Sequence, residues 1–263
     1  MKNIFDLARL CLSDDSIEGK LKWTHLAWQQ FESGELCLKS SDSPMAIDKI
    51  RFPQRPILMS PRHMPKRSFN TSEGKTAFFH AIAHIEFIAI SLAWDMLYRF
   101  RDMPESFYKD WLMVAEEEAQ HFSMIREHLI SRGIDYGDLP AHGGLWEHAQ
   151  QTADDLLARL AVVPRCMEAR GLDATPVMIN KFKGIGDTKS AAILEKILND
   201  EIGHVELGSK WFRFECERQT LVPDKKYIDL IKHYDMGKPK GPFNREMRIM
   251  AGFSEAELDW LEK

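Results

Sequence analysis

Two short motifs in this chain combine an acid and an imidazole at a spacing suited to metal binding. Each is a Glu-x-x-His, formed by Glu118 with His121 and by Glu201 with His204. Residues three apart lie on the same face of an α-helix, so each motif directs one carboxylate and one imidazole toward the same point. A single Glu-x-x-His often arises by chance, whereas a repeated one indicates a shared role in binding metal.

A further glutamate precedes each motif by nearly the same interval. Glu86 stands before Glu118 almost as far along the chain as Glu168 stands before Glu201. Glu86 lies in the strongly apolar segment 78–90, where a buried carboxylate is costly unless it finds a partner. Two divalent cations would neutralise four such carboxylates. The predicted metal ligands are Glu86, Glu118, His121, Glu168, Glu201 and His204.

The order of these six residues predicts four helices that support them. One Glu from each of two helices, with a Glu-x-x-His from each of two others, is the ligand set of carboxylate di-iron and di-manganese four-helix bundles. A turn near 102–104 would lie about 24 Å along the helix from Glu86 and about 21 Å from Glu118, so antiparallel helices hold both at one height. The predicted core helices are 73–100, 104–132, 146–183 and 187–217.

The third core helix carries two residues that interrupt a regular helix, Gly171 and Pro176, shortly after Glu168. If the helix continues to a turn near 184–187, that turn lies about midway between Glu168 and Glu201. The turn near 102–104 lies about midway between Glu86 and Glu118 in the same way. Glycine and proline commonly cause kinks, and helix distortions are frequent at functional sites. We therefore predict a kinked helix beside the metal, not a helix that ends there.

The rest of the chain predicts additions to this bundle. Five prolines between residues 36 and 72 oppose long helices, so this stretch is expected to be irregular and to wrap the bundle. The linker 131–144 joins the two repeats. The remaining helices are predicted at 4–12, 16–31, 224–233 and from residue 254 onward. We predict a single all-α domain over 1–263, with a core at 73–217, an N-terminal extension (1–72) and a C-terminal extension (218–263).

Five other residues near the predicted ligands have alternative interpretations. Glu117 and Asp200 precede the motif glutamates and are proposed to hydrogen-bond the second N–H of the imidazoles, which fixes ring orientation; the alternative is that they are solvated acids. His80 and His84 are interpreted as packing or surface histidines. Arg165 is interpreted as part of a salt bridge within the bundle, with a ligand carboxylate or an anionic substrate as alternatives.

Composition narrows the class of protein. The 263 residues are 44% hydrophobic and 29% charged, as in soluble globular proteins, and the net charge of −5 argues against a generally basic nucleic-acid binder. An unbroken run of 18 apolar residues does not occur, so we expect no spanning helix and no membrane partner. The four cysteines are scattered, which predicts reduced thiols and a cytoplasmic location.

Basic residues are clustered in two stretches, 49–67 and 238–248. Such clusters are either solvated loops or a patch for an anionic substrate or phosphate. Those of the first stretch are Lys49, Arg51, Arg55, Arg62, Lys66 and Arg67.

The ligand pattern over 73–217 resembles that of the ferritin-like superfamily of carboxylate-bridged dimetal proteins. More narrowly, the strings at 168–173 (EARGLD) and 199–205 (NDEIGHV) resemble an uncharacterised bacterial ferritin-like family, which is similar to the tRNA-hydroxylating di-iron monooxygenases of the MiaE type. The resemblance implies a ferritin-like four-helix bundle, a dimetal site and oxygen chemistry.

Three functions follow as hypotheses. The first is an oxygen-dependent oxidoreductase, specifically a hydroxylase, with two metal ions, either iron or alternatively manganese or a mixed pair. Its partners would be dioxygen, a small organic substrate and an electron donor, and the sequence identifies neither the substrate nor the donor. A homodimer is compatible with the sequence. The second is non-enzymatic metal binding, iron oxidation or storage. The third is a tRNA-modifying monooxygenase, suggested by the family neighbour and the basic stretches.

Overall fold

The computed structural model describes residues 2–39, 50–64, 68–234, 236 and 240–263. These residues are mostly helical, which confirms the all-α class. The described residues also include two short strands, β1 (Lys2–Asn3) and β2 (Leu36–Cys37), which pair in parallel. By its internal contacts the chain divides into two compact units, Met1–Trp146 and Glu147–Lys263. The predicted single domain and its four-helix bundle stay predictions.

The first unit is built on a pair of long helices, α3 and α4, with a shorter pair, α1 and α2, packed on them. These begin and end close to the predicted bounds: α1 is Ile4–Ser13, α2 Ile17–Glu32, α3 Ser72–Arg99 and α4 Glu105–Ile130. A 3₁₀ turn at Pro61–His63 lies in the stretch expected to be irregular.

Helix α3 is the apolar centre of the first unit. Most of its residues are buried, including almost the whole of its second half. It is the described helix that is long and apolar enough to span a bilayer by length and composition, and 78% of that apolar window is buried inside the protein. The sequence has no unbroken run of 18 apolar residues. The test for a membrane-spanning helix averages hydropathy over 18 residues, so it tolerates a few polar side chains. A buried core helix passes the same test.

The linker 131–144 is fixed to α3 by Tyr136 and two histidines. The Tyr136 hydroxyl lies 2.9 Å from His84 Nδ1, and its ring stacks on His80. The Nε2 atom of His80 accepts hydrogen bonds from the backbone N–H groups of Gly137 (2.9 Å) and Leu139 (3.3 Å). Both histidines are buried, so they are packing residues, as one of the two interpretations had it.

The second unit contains a long helical pair and the C-terminal helices. Its elements are α5 (Gly144–Gln151, which begins at the end of the first unit), α6 (Leu156–Val162), a π-helical turn (Val163–Glu168), α7 (Ala169–Gly184), α8 (Thr188–Arg218), α9 (Pro223–His233), α10 (Arg245–Met250) and α11 (Glu255–Glu262). Helix α7 packs on α8; α9 packs on α6 and α8, α10 packs on α7 and α8, and α11 packs on α9.

Two details of the third predicted helix were wrong. The helix predicted over 146–183 is interrupted between α5 and α6, where Asp155 caps the start of α6 by accepting from the Ala158 N–H. The distortion beside Glu168 is the π-helical turn that precedes it, whereas Gly171 and Pro176 lie inside regular α7. The prediction that the helix continues past Glu168 to a turn near 184–187 is confirmed.

Candidate metal centre

Three of the predicted ligands meet inside the first unit. Helix α3 presents Glu86, and α4 presents Glu118 and His121 from successive turns. All three are buried, with at most 4% of each residue exposed. The Nδ1 atom of His121 lies 3.3 Å from Glu86 Oε2 and 3.5 Å from Glu118 Oε2. One donor atom from each residue lies within 4.8 Å of the others, so this group could hold a metal ion.

The electrostatics of this group show how strongly it attracts positive charge. Burial raises the pKa of Glu86 well above its usual value, and the neighbouring Glu118 carboxylate raises it further. Burial alone would lower the pKa of His121, but the close contacts of its ring with the Glu118 and Glu86 carboxylates outweigh it and raise the pKa to about 11. Without a metal ion, protons therefore supply the positive charge that two buried carboxylates require.

The donor set fits a divalent cation. Carboxylate oxygens and a neutral imidazole nitrogen are ligands for iron, manganese and zinc, and they bind in their deprotonated forms. A cation placed among Glu86, Glu118 and His121 would replace the protons. Both carboxylates would then be ionised, and the charge of the cation would balance theirs. The buried position of all three side chains also makes an unpaired charge costly, which favours occupation by an ion.

The second unit carries the other three predicted ligands. Glu201 and His204 lie on successive turns of α8, and His204 Nδ1 is 3.6 Å from Glu201 Oε1. His204 is buried, while Glu201 keeps a small part of its side chain exposed. Glu168 is half-buried and is the last residue of the π-helical turn. In both units the imidazole turns Nδ1 toward the motif glutamate, so the two Glu-x-x-His motifs share one local geometry.

The two acids expected to orient the imidazoles stay predictions. Glu117 is half-buried on α4. The Asp200 carboxylate accepts a hydrogen bond from Lys196, one turn earlier on α8. The same helix turn therefore already provides Asp200 with a counter-charge.

A neighbouring acid was missed by the sequence reasoning. Glu116 is buried and holds His25 of α2, whose Nδ1 lies 2.8 Å and 3.0 Å from its two carboxylate oxygens. Gln120 donates to the same carboxylate at 2.9 Å. The two partners His25 and Glu116 come from helices far apart along the chain, so local spacing gives no signal for this pair.

Arg165 forms a salt bridge, as interpreted, although its partner belongs to the C-terminal extension and not to the predicted bundle core. It is buried in the second unit, and its Nη2 donates to Glu257 Oε2 at 2.7 Å. Its Nε donates to Ser209 Oγ at 3.1 Å. Three aromatic rings surround the guanidinium, with centroids at 4.4 to 4.8 Å: Phe212, Tyr227 and Phe253.

Several residues of the basic stretches have partners within the chain. Arg245 binds the carboxylates of Glu255, Asp259 and Glu262, and Arg248 is buried against Asp173 at 2.7 Å. Arg51, Arg55 and Arg62 are exposed, as in a solvated loop. Lys49, Lys66, Arg67 and Lys238 lie outside the described residues. The pairing of Arg245 and Arg248 removes much of the charge expected near the C-terminus.

Comparisons with known proteins give a family but no activity. Residues 13–259 match the family described as "Protein of unknown function (DUF455)". A protein of Haemophilus influenzae described as uncharacterised is 48% identical over 234 residues, which cover 85% of this chain and 81% of that protein. No solved structure matches the chain significantly. The match over nearly the whole chain shows that it belongs to the DUF455 family.

Proposed function

We propose that this protein is a carboxylate-bridged dimetal oxidoreductase, with a pair of iron ions, that uses dioxygen to hydroxylate an organic substrate. The observation that carries the proposal is the buried group of Glu86, Glu118 and His121, whose donor atoms converge on a site suited to a cation. The repeat of the same ligand types in Glu168, Glu201 and His204 supports a second ion. The ligand set is that of ferritin-like four-helix bundles, the fold we propose for the core.

Each ligand has a role that its position suggests. Glu118 and Glu201, from the two Glu-x-x-His motifs, are the candidates for bridging both ions, and Glu86 and Glu168 for binding one ion each. Bound as a pair, ferrous ions would supply two electrons to dioxygen, so that one oxygen atom could enter the substrate and the other leave as water, and an external electron donor would return the ions to the ferrous state. The chain supplies the binding, the orientation and the control of water access.

Burial of the first group serves this chemistry in two ways. The apolar residues of α3 exclude water from Glu86, which strengthens its attraction for a cation. The rigid pair α3 and α4 fixes the three donors before the metal arrives, which lowers the cost of ordering them. The proton on His121 must leave when Nδ1 binds a metal, so metal binding releases protons.

The test is iron binding by the intact chain and its ligand variants. Anaerobic loading with Fe(II) should give about two ions per chain, and exposure to dioxygen should change the optical spectrum. His121→Ala and Glu86→Gln should bind well under two ions per chain, because each removes a donor from a buried group. The exposed acids Glu73 and Glu127 provide matched controls as Gln variants on the same helices, α3 and α4.

Two outcomes would contradict this assignment. Unchanged iron stoichiometry in both ligand variants would remove these residues from the site. Iron oxidation that proceeds to large iron-loaded assemblies, without oxygen uptake coupled to an organic substrate, would favour storage over hydroxylation.

A tRNA substrate has weaker support. The similarity to MiaE-type enzymes suggests it, but Arg245 and Arg248 are already paired with acids and the net charge is −5. Nucleic-acid affinity rests on cationic groups that can reach phosphates. Salt-dependent binding of tRNA in a gel-shift assay would revive this alternative.

A further inference from the structure

The π-helical turn before Glu168 has a cause in the sequence. Pro164 has no N–H to donate to the preceding turn, and its ring collides with the carbonyl four residues earlier in a regular α-helix. The chain accommodates it with a wider turn over Val163–Glu168. The Ala169 N–H bonds to the Pro164 carbonyl, five residues back, which is the π-helical spacing. Glu168 is therefore presented at the end of a distorted turn.

Two buried side chains from the C-terminal extension bond to the backbone on either side of Glu168. The Tyr227 hydroxyl of α9 donates to the Arg165 carbonyl at 3.2 Å. The Arg248 guanidinium of α10 donates to the Ala169 carbonyl at 3.3 Å. Tyr227 is fully buried and Arg248 is 1% exposed. Both hydrogen bonds therefore form where water cannot replace them, and losing either donor leaves a buried carbonyl less satisfied.

The same extension also anchors the side chains around the turn. Glu257 of α11 binds Arg165 at 2.7 Å, and both side chains are 2% exposed. Arg248 binds both oxygens of Asp173, one turn into α7, at 2.7 Å and 3.0 Å. Removing one partner of a buried salt bridge strongly destabilises the fold, because the other charge is left buried without compensation. The C-terminal helices thus hold the turn through both its backbone and its side chains.

Helix α8 approaches the turn from another side. A Cβ atom at Gly208 would lie 2.7 Å from Cβ of Pro164, closer than two carbons can pack. Gly208 therefore permits direct contact between α8 and the proline that causes the distortion. At Gly203, on the same helix, an added Cβ would meet nothing within 4 Å.

We propose that helices α9, α10 and α11 of the C-terminal extension form a positioning element that locks the π-helical turn and so sets the direction in which Glu168 presents its carboxylate. Each residue of an α-helix turns by about 100°, so relaxation of the wide turn would rotate Glu168 by a comparable angle relative to α6. Tyr227 and Arg248 are positioning residues in this role. The part that concerns metal rests on the proposed function, whereas the locking of the turn does not.

Tyr227→Phe tests whether the C-terminal helices lock the turn, because it removes the hydroxyl that bonds to the Arg165 carbonyl and retains the ring. Amide hydrogen exchange across residues 164–171 should become about fivefold to tenfold faster, since one buried hydrogen bond is lost. The affinity for Co(II), used as a spectroscopic probe, should fall by about tenfold, with an altered visible spectrum, as expected for residues that orient ligands. Tyr234→Phe is the matched control, because Tyr234 lies just past α9 and is partly exposed.

Three further variants separate positioning from general stability. Gly208→Ala should displace Pro164 and accelerate exchange in the turn, while Gly203→Ala should not. Arg245→Gln weakens the exposed clamp between α10 and α11, so it shows what destabilising the extension does by itself. Co(II) affinity that falls in Arg245→Gln as much as in Tyr227→Phe, at equal loss of stability, would overturn the positioning role.

The two proposals fail in different ways. If the wild-type chain bound no Co(II), the proposed metal centre would be wrong. Amide exchange across residues 164–171 would still show whether the C-terminal helices hold the π-helical turn. Exchange rates across 164–171 that are unchanged in both Tyr227→Phe and Gly208→Ala would overturn the lock itself.

Discussion

At the scale of single residues, His25 and Glu116 form a contact whose strength depends on pH. The hydrogen bond to Glu116 raises the pKa of His25 above its usual value. A raised folded-state pKa means that protonated His25 stabilises the folded chain. This contribution is complete below the unfolded pKa of about 6.5 and is lost as the pH rises through the higher folded value.

The prediction is a pH-dependent difference between the natural chain and His25→Gln. We expect the variant to be less stable below about pH 6 and to approach the natural chain as the pH rises past the raised pKa of His25. Urea midpoints measured from about pH 5 to 9 give this difference, with His233→Gln as an exposed control. A gap between the two chains that widens with rising pH would contradict the expected sign.

The sequence allowed some residues to be assigned and not others. Glu86 was expected to be buried because it lies in an apolar helix, and it is. The imidazole and carboxylate of each motif share a face because their spacing is local, and the structure places them 3.5 and 3.6 Å apart. Glu116 could not be distinguished from its neighbours in an acidic run, because its partner His25 comes from a distant helix.

At the scale of helices, proline position accounts for the main error. Pro176 lies inside α7 without ending it, while Pro164 coincides with the wide turn. A proline in a helical pattern indicates a local disturbance, but tertiary packing decides how the chain accommodates it. Pro164 is accommodated because Gly208 leaves room on α8 and Tyr227 satisfies a carbonyl of the turn.

The start of α3 gives a prediction about close packing. A Cβ at Gly74 would lie 2.0 Å from the Ser68 carbonyl oxygen, a backbone atom that cannot rotate away. Gly74→Ala should therefore lower the free energy of unfolding by about 1–3 kcal/mol through overpacking. Gly184→Ala, at the end of α7, meets nothing within 4 Å and should change stability by less than about 1 kcal/mol. Urea denaturation of both variants measures the contrast, and equal effects would contradict it.

At the scale of the whole molecule, the repeated ligand pattern was the strongest signal in the sequence. Each repeat corresponds to a long helical pair, α3 with α4 and α7 with α8, in separate compact units. The sequence could predict these pairs because periodicity and turn residues are local. Whether the six ligands serve one centre depends on tertiary assembly, which spacing along the chain does not determine.

A shared dimetal centre and two separate one-metal sites predict different stoichiometries. If Glu118 and Glu201 bridge both ions, then Glu118→Gln or Glu201→Gln should weaken the binding of both ions together. Separate sites would leave about one ion per chain, bound with normal affinity, in either variant. Iron titrations followed by metal analysis distinguish the two cases.

Thermal unfolding provides an independent readout of the same question. An ion that binds only the folded chain raises its stability by about 2.7 kcal/mol at a concentration one hundred times its Kd. With a shared centre, each single Glu→Gln variant should lose nearly all of this metal-dependent stabilisation. Additive losses, with half retained in each variant and none in the double variant, would show that each Glu-x-x-His motif binds its own ion.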